Sequence, residues 1–131
     1  MKLSKLFADS SDFDEKSKEI DSILDLDMLK DIARNEFDYR LRIKAVRYIS
    51  DDYFLKQIIY DDSNRNVKIA ALDNLTNPKY IEGIAKNHPN CHVRIAAIEK
   101  IDDKFVLNDI AENDSNKSVK KIALEKIKKI M

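Results

Sequence analysis

The only two histidines and the only cysteine of the 131-residue chain lie close together, in the segment His88-Pro89-Asn90-Cys91-His92. Imidazole and thiolate groups are ligands that zinc and copper prefer, so this segment holds three candidate metal ligands. Their spacing matches no standard zinc finger, and His92 follows Cys91 directly. We therefore interpret His88, Cys91 and His92 as ordinary loop residues, and we predict neither a metal nor any other cofactor.

The rest of the chain contains no pattern typical of an enzyme. Gly83 is its only glycine, so a glycine-rich phosphate-binding loop is absent, and so is a serine elbow. The carboxylates lie mostly at positions typical of helix caps and solvent-facing surfaces, not in a general acid–base cluster. The sequence therefore predicts a protein without catalytic activity.

A repeat of 26 residues organises the chain. A motif rich in isoleucine and alanine begins at Leu41 and returns at Val67, Val93 and Val119 without any insertion. A constant period of this size is typical of stacked repeats. Glycine and proline are scarce, at one and two residues, and residues that favour helix are abundant. We therefore predict an all-α chain.

Each repeat carries two short amphipathic segments, here named helix A and helix B. An Asp or Asn precedes each segment, where its side chain can accept hydrogen bonds from the first helical turn. The expected caps of helix A are Asp25, Asp51, Asn77 and Asp103, and those of helix B are Asp38, Asn64, Asn90 and Asn116. A third column predicts that helix A ends in a left-handed residue, namely Asn35, Asp61, Asn87 or Asn113.

The period predicts one domain, residues 1–131, in which antiparallel helical hairpins stack as an α-solenoid. Its five repeats are 1–26, 27–52, 53–78, 79–104 and 105–131. The first is degenerate, with only Leu3, Leu6 and Phe7 in the register of later A segments, and the last carries Lys121 where others have isoleucine. Polar terminal repeats are typical of capped arrays, so we expect a complete array.

Residues 27–131 resemble the HEAT-like repeat family, in the short form found in phycobilisome-lyase-type repeats and related to variant leucine-rich repeats. The shared pattern is an acidic residue, Pro or Ser, Asp or Asn, two variable positions, then Val-Arg and a pair of alanines. It is matched by Asp62-Ser-Asn-Arg-Asn-Val-Lys68 and Asp114-Ser-Asn-Lys-Ser-Val-Lys120, and more loosely from Glu36 and from His88. The resemblance implies the fold but no single function.

In such families the acidic residue and the basic residue six positions later form a ladder that ties adjacent repeats. The resemblance implies this structural role for Glu36, Arg42, Asp62, Lys68, Arg94, Asp114 and Lys120. His88 interrupts the acidic column. One enzymatic branch of the family holds two irons through His-Glu pairs, and this chain has no His-Glu dipeptide.

Helical periodicity separates two faces of helix B. Val67, Ala71 and Leu72 share the core-facing arc, whereas one column of isoleucines and one of charged residues point away from it. This outer face is our hypothetical partner-binding surface, and it comprises Ile43, Arg47, Ile69, Asp73, Ile95, Glu99, Lys121 and Glu125. An apolar strip beside charges is typical of a groove for a partner helix or peptide; the alternative is that the isoleucines pack between successive B helices.

The charge balance constrains the partner. The chain has 24 basic and 24 acidic side chains, which disfavours nucleic acid. Residues 9–27 hold eight acids and two lysines, however, and residues 117–131 hold six lysines and one glutamate. This polarity leaves three interpretations open: weak head-to-tail self-association, an acidic partner for the lysine-rich last helix, or simply solvated helix faces. Nucleic-acid binding through Lys120, Lys121, Lys126, Lys128 and Lys129 is a weaker alternative.

The sequence thus predicts a non-catalytic scaffold that binds another protein through helix B. A second hypothesis, implied by the resemblance, is an accessory or lyase-like subunit that holds a prosthetic group or a modification substrate. A single cysteine and the lack of a long apolar run or signal-peptide core predict a cytoplasmic protein without membrane contact.

Overall fold

The computed structural model describes residues 13–131. The predicted positions Leu3, Leu6 and Phe7, and the acidic residues Asp9 and Asp12, lie outside the described residues. The described part contains helices and no strand, which confirms the all-α prediction. The helices are α1 (Phe13–Asp21), α2 (Leu26–Asn35), α3 (Tyr39–Arg47), α4 (Asp52–Asp61), α5 (Arg65–Asn74), α6 (Pro78–Asn87), α7 (Cys91–Ile98), α8 (Lys104–Asn113) and α9 (Lys117–Ile130).

The helices begin where the cap residues predict. Asp25 Oδ1 accepts the N–H of Asp27 at 2.8 Å, and Asn64 Oδ1 accepts that of Asn66 at 2.8 Å. All eight predicted Asp and Asn residues cap the helix that follows them, and Pro78 occupies the first turn of α6. Helices A are therefore α2, α4, α6 and α8, and helices B are α1, α3, α5, α7 and α9. Among these helices, none is both long and apolar enough to cross a membrane.

The ends of the A helices differ from the prediction. Asn35, Asp61, Asn87 and Asn113 are the last helical residues, and no residue in the described chain has a positive φ. The left-handed closure is therefore wrong. Each A helix is closed by the next residue, which is extended while its N–H still donates to the carbonyl four residues earlier, as from Glu36 to Ile32 O at 3.1 Å. An extended residue leads directly into the next N-cap, so no left-handed residue is needed.

The described residues form two compact units, one that ends at Leu75 and one that begins at Thr76. In the first unit, α2 packs against α3 and α4 packs against α5. The B helices α1, α3 and α5 also lie side by side. Their shared core contains the fully buried side chains Ile20, Ile32, Leu41, Leu55, Ile59 and Leu72.

The second unit repeats this arrangement. Helix α6 packs against α7, α8 packs against α9, and α9 also contacts the preceding B helix, α7. The core of this unit contains Ile84, Ala85, Val93, Ile98, Leu107 and Val119. Helices of 8 to 14 residues are marginal alone, so this packing supplies most of their stability.

Candidate interaction surface

In the first unit, the predicted binding residues lie on the neighbouring helices α3 and α5. Ile43 and Ile69 are half-buried, whereas Arg47 and Asp73 are exposed. Core residues of the same helices, such as Val67 and Leu72, are almost fully buried. The isoleucines therefore occupy the border between the core and the solvent-facing surface of helix B.

The second unit places its predicted residues in the same way. Ile95 on α7 is half-buried, and Glu99, which follows α7, is exposed. Lys121 and Glu125 are both exposed on α9. Each unit therefore presents an outer helix-B face on which isoleucine side chains are partly accessible beside charged ones.

The predicted ladder residues form side-chain pairs twenty positions apart. Arg42 Nε lies 2.9 Å from Asp62 Oδ2, and Arg42 Nη2 lies 3.1 Å from Asp62 Oδ1. Arg94 and Asp114 form the same two-pronged pair, with both N–O distances at 3.0 Å. Each arginine thus joins its own loop and helix to the loop before the next B helix.

Both arginines also tie down their own loops. Arg42 Nη1 donates to the carbonyls of Glu36 and Phe37 at 2.8 and 2.9 Å. Arg94 Nη1 donates to His88 O at 2.8 Å and to Pro89 O at 3.3 Å. The residue six positions earlier, Glu36 or His88, thus contributes its backbone oxygen, while the carboxylate comes from the next repeat.

One further ladder residue, Lys16, was not among the predicted ones. Lys16 on α1 lies 3.8 Å from Glu36, again twenty residues later, so the degenerate first repeat keeps the pairing. The signal was available, because Lys16 precedes Arg42 by one 26-residue period. Lys68 and Lys120, the remaining basic members, are half-buried.

A second set of contacts, also missed, caps the carboxyl ends of B helices. Asn74 Nδ2 donates to the carbonyls of Val46, Arg47 and Ile49 at 3.0 to 3.2 Å. In the second unit, Lys126 Nζ donates to Ile98 O and Glu99 O at 3.0 and 2.5 Å. Asn74 and Lys126 share one repeat position, so this position satisfies carbonyls that a helix end leaves free.

A polar cluster joins α1 and α3 on the exposed side of the first unit. Lys44 Nζ lies 2.6 Å from Ser17 Oγ and 2.9 Å from Asp21 Oδ2, and the Tyr48 hydroxyl donates to Asp21. The hydrogen bonds from Tyr48 and from Lys44 lower the pKa of Asp21 below its ordinary value. The same carboxylate raises the pKa of the Tyr48 phenol.

The histidine–cysteine segment does not converge on a metal site. His88 is 1% exposed, and its Nδ1 accepts the N–H of Asn90 at 3.0 Å. His92 is exposed on the first turn of α7 and Cys91 is half-buried. Across residues 13–131, no three His, Cys, Asp or Glu side chains are grouped as metal ligands would be.

His88 instead performs part of the role of an aspartate. Asp62 Oδ1 and Asp114 Oδ1 accept the N–H of the N-cap residue two positions later, at 2.8 and 2.9 Å. The imidazole Nδ1 of His88 does the same for Asn90. An imidazole nitrogen can therefore fill the acceptor role that a carboxylate oxygen fills in the loops at Asp62 and Asp114.

Clefts on the described surface are small. The second unit has one of about 300 Å³ between the starts of α6 and α8, with Ile81, Ile101 and Val106 in its wall beside Glu82 and Asp103. The first unit has a shallow groove of about 450 Å³ beside the fully exposed Phe37. Sites for small molecules usually range from about 300 to 1,000 Å³, so these clefts lie at the lower end.

Comparison of the chain with known protein families, with characterised proteins and with solved structures found no match.

Proposed function

We propose that this chain is a non-catalytic interaction scaffold, an α-solenoid of HEAT-like hairpins that binds another protein through the outer face of helix B. One observation carries the proposal. Ile43 and Ile69 lie half-buried on packed neighbouring helices, with Arg47 and Asp73 exposed beside them. Partly accessible apolar side chains flanked by charges are the features by which a groove recognises an amphipathic segment.

The helix contacts support a rigid binding surface. In the first unit, Arg42 joins α3 to the loop before α5, and Asn74 of α5 closes the carboxyl end of α3. Both contacts fix α5 relative to α3, so the isoleucines on the two helices keep a constant spacing. A surface that is already ordered loses little conformational entropy on binding, which favours affinity.

The face also indicates the chemistry of its partner. Apolar atoms are accessible only in part, so we expect the partner to insert a few aliphatic or aromatic side chains rather than cover a broad apolar area. Arg47 and Asp73 are both exposed and carry opposite charges, which favours a partner segment with both acidic and basic residues.

The test is the double substitution Ile43→Lys and Ile69→Lys, which places a charge at the position that Lys121 occupies on α9. Because both isoleucines are half-buried and lysine can extend its ammonium into solvent, we expect a loss of about 1 kcal/mol or less per site and a folded chain. Thermal unfolding would be measured beside affinity capture from native lysate, with bound proteins identified by mass spectrometry.

The matched control is Leu24→Lys, since Leu24 is an exposed apolar residue of the first unit outside any helix. The proposal predicts a partner that is captured by the unmodified and control chains and lost from the double variant. A collapse of the melting temperature in the double variant would instead mean that the isoleucines serve the core. Equal capture by all three chains would reject helix B as the binding face.

A further inference from the structure

Helix α9 exposes an apolar repeat position that α3, α5 and α7 bury. Val46 on α3 and Ile98 on α7 are 0% exposed, and the next B helix of the same unit packs against each of their helices. Leu124 on α9 occupies the same repeat position and is 48% exposed. Ala111 and Ile127 are also partly accessible, whereas their counterparts Ala85 and Ile101 are buried.

The same face contains Lys120, which occupies the basic position of the ladder. Arg42 and Arg94 lie four residues before Val46 and Ile98, and each binds an aspartate of the following loop. Lys120 stands at the same spacing before Leu124 and is half-buried. In the described part of the chain, no carboxylate lies within ion-pair distance of Lys120.

We propose that this surface, the α9 end face (Ala111, Lys120, Leu124 and Ile127), binds an amphipathic helix of another protein that carries an acidic residue in the turn before the helix. The equivalent positions of other repeats, where the next hairpin covers them, show what such a ligand provides. On Arg94 and Ile98, Asp114 supplies the carboxylate, Asn116 caps the helix, and α9 covers the apolar residue. On α9, Lys120 and Leu124 repeat this pair of groups, and no further helix of residues 13–131 covers them.

Charge favours an acidic occupant. Lys117, Lys121 and Lys128 are exposed on α9 around Leu124, and Glu125 is the single acid of that helix. Lys126 is excluded from this surface, because its ammonium is held by Ile98 O and Glu99 O. An acidic helix would thus gain from steering by several cations as well as from the contact with Lys120.

Two other occupants fit less well. A second copy of the chain would offer the acidic α1, but Asp21 of that helix is already held by Lys44 and Tyr48. Binding to a lipid surface would bury little apolar area, because Leu124 is the one strongly exposed apolar side chain in the middle of α9. Insertion into a bilayer interface needs a broader apolar face.

The probe is a synthetic peptide with the sequence of residues 60–76, the segment that covers Arg42 and Val46 in this chain. It carries Arg65→Glu and Lys68→Glu for acidity, and a staple between positions 66 and 73, which are exposed, to keep it helical. Fluorescence anisotropy would measure its binding to the full chain. We expect Lys120→Glu and Leu124→Lys each to weaken binding by about tenfold or more.

The control on the protein is Lys104→Glu, which makes the same charge change at an exposed lysine of α8 and should alter the affinity by less than about twofold. The control on the peptide is Asp62→Lys, which should weaken binding to the unmodified chain but not further weaken binding to the Lys120→Glu variant. Circular dichroism should show all variants folded, since Lys120 and Leu124 are not core residues.

Equal weakening by Lys104→Glu would overturn the proposal in favour of unspecific attraction, and an unchanged affinity in Lys120→Glu would overturn it directly. Flotation with anionic vesicles in the absence of peptide binding would assign the face to lipid. A dimer in light scattering that Lys120→Glu abolishes would assign it to a second copy. None of these outcomes depends on Ile43 or Ile69, so the proposed helix-B function is judged separately.

Discussion

Arg42 and Arg94 make contacts that need the shape of guanidinium as well as its charge. Each places two nitrogens on one carboxylate and turns a third toward the carbonyls of its own loop. A lysine offers a single ammonium, which cannot reach both groups with the same geometry. The two arginines therefore each connect three segments of chain, namely their own helix, their own loop and the next loop.

The pair of Arg94 and Asp114 is largely buried, with side-chain exposures of 10% and 4%. Asp114→Ala would leave the Arg94 guanidinium buried without its carboxylate, and we expect a loss of about 3 to 5 kcal/mol in the free energy of unfolding. Chemical denaturation at pH 7 would measure the loss.

Asp109→Ala is the matched control, because Asp109 pairs with Lys86 at 3.0 Å on the exposed surface of the same unit. Exposed pairs contribute about 1 kcal/mol or less, so this variant should remain close to the unmodified chain. If the two variants lose similar stability, the buried ladder has no special structural role.

At the scale of the helix, the same residue can cap one element and bind another. Asp51 accepts the N–H of Phe54 as the N-cap of α4, and it also accepts a hydrogen bond from Lys30 of α2 at 2.7 Å. The hydrogen bond from Lys30, followed by the backbone hydrogen bond of Phe54, lowers the pKa of Asp51 below its ordinary value of 3.8. The charged carboxylate therefore stabilises the fold.

The pH dependence follows from the direction of that shift. A carboxyl group with a lowered folded-state pKa contributes stability above pH 3.8, and the contribution is lost as the pH falls through the lower folded value. Asp51→Asn keeps a cap acceptor but removes the charge. At pH 7 we expect this variant to be less stable by about 1 kcal/mol or less, since both partners are partly exposed.

Thermal unfolding of the Asp51→Asn variant and the unmodified chain between pH 7 and pH 2.5 would test this. The gap between their melting temperatures should narrow below pH 4 as Asp51 becomes protonated. A gap that stays constant down to pH 2.5 would show that the carboxylate charge contributes nothing and that the cap alone matters.

The helices were predictable from sequence because their signals are local. Asp25, Asn64 and the other caps act within three residues of their own position, and the apolar spacing defines one face of each helix. The ends of the A helices were predicted wrongly because Asn35 tolerates a left-handed conformation but does not require it. The position of the next helix start determines the backbone conformation of the loop instead.

Contacts between helices were only partly predictable. The partners of Asn74 are backbone carbonyls at the end of α3 and just after it, 25 to 28 residues earlier, and a backbone oxygen leaves no signature in the sequence. Arg42 was expected to act with an acidic residue, but the distance along the chain to its carboxylate depends on how helices stack. The exposure of Ile43 likewise depends on packing, so periodicity placed it on the outer face without telling how much of it is accessible.

For the whole molecule, the common theme is that each hairpin provides what its neighbour lacks. Within a unit, one repeat offers a cation, an apolar residue and free carbonyls, and the next repeat supplies a carboxylate, an apolar helix face and a donor such as Asn74 or Lys126. In a stacked array of the kind proposed here, stability is approximately a sum of repeat and interface contributions. The chain should therefore accept a further repeat at the α9 end face.

A direct prediction is that appending a second copy of residues 106–131 after Met131 stabilises the chain. The appended copy of Asp114 falls twenty residues after Lys120, the spacing of the observed pairs, and the appended B helix would cover Leu124. With one added interface, we expect the melting temperature to rise by about 3 to 8 °C and the helical signal to grow in proportion to length.

The control extension carries lysine in place of that appended aspartate, so that two lysines, the new one and Lys120, face each other. It should show a smaller rise, because the apolar contact remains while the ion pair is replaced by repulsion. If both extensions leave the melting temperature unchanged and the added residues stay unfolded, then the α9 end face does not accept a repeat of this kind. The pairing of a cation and an apolar residue with the next repeat would then hold only inside the two units. The proposed binding of an acidic helix at the α9 end face would lose its structural basis.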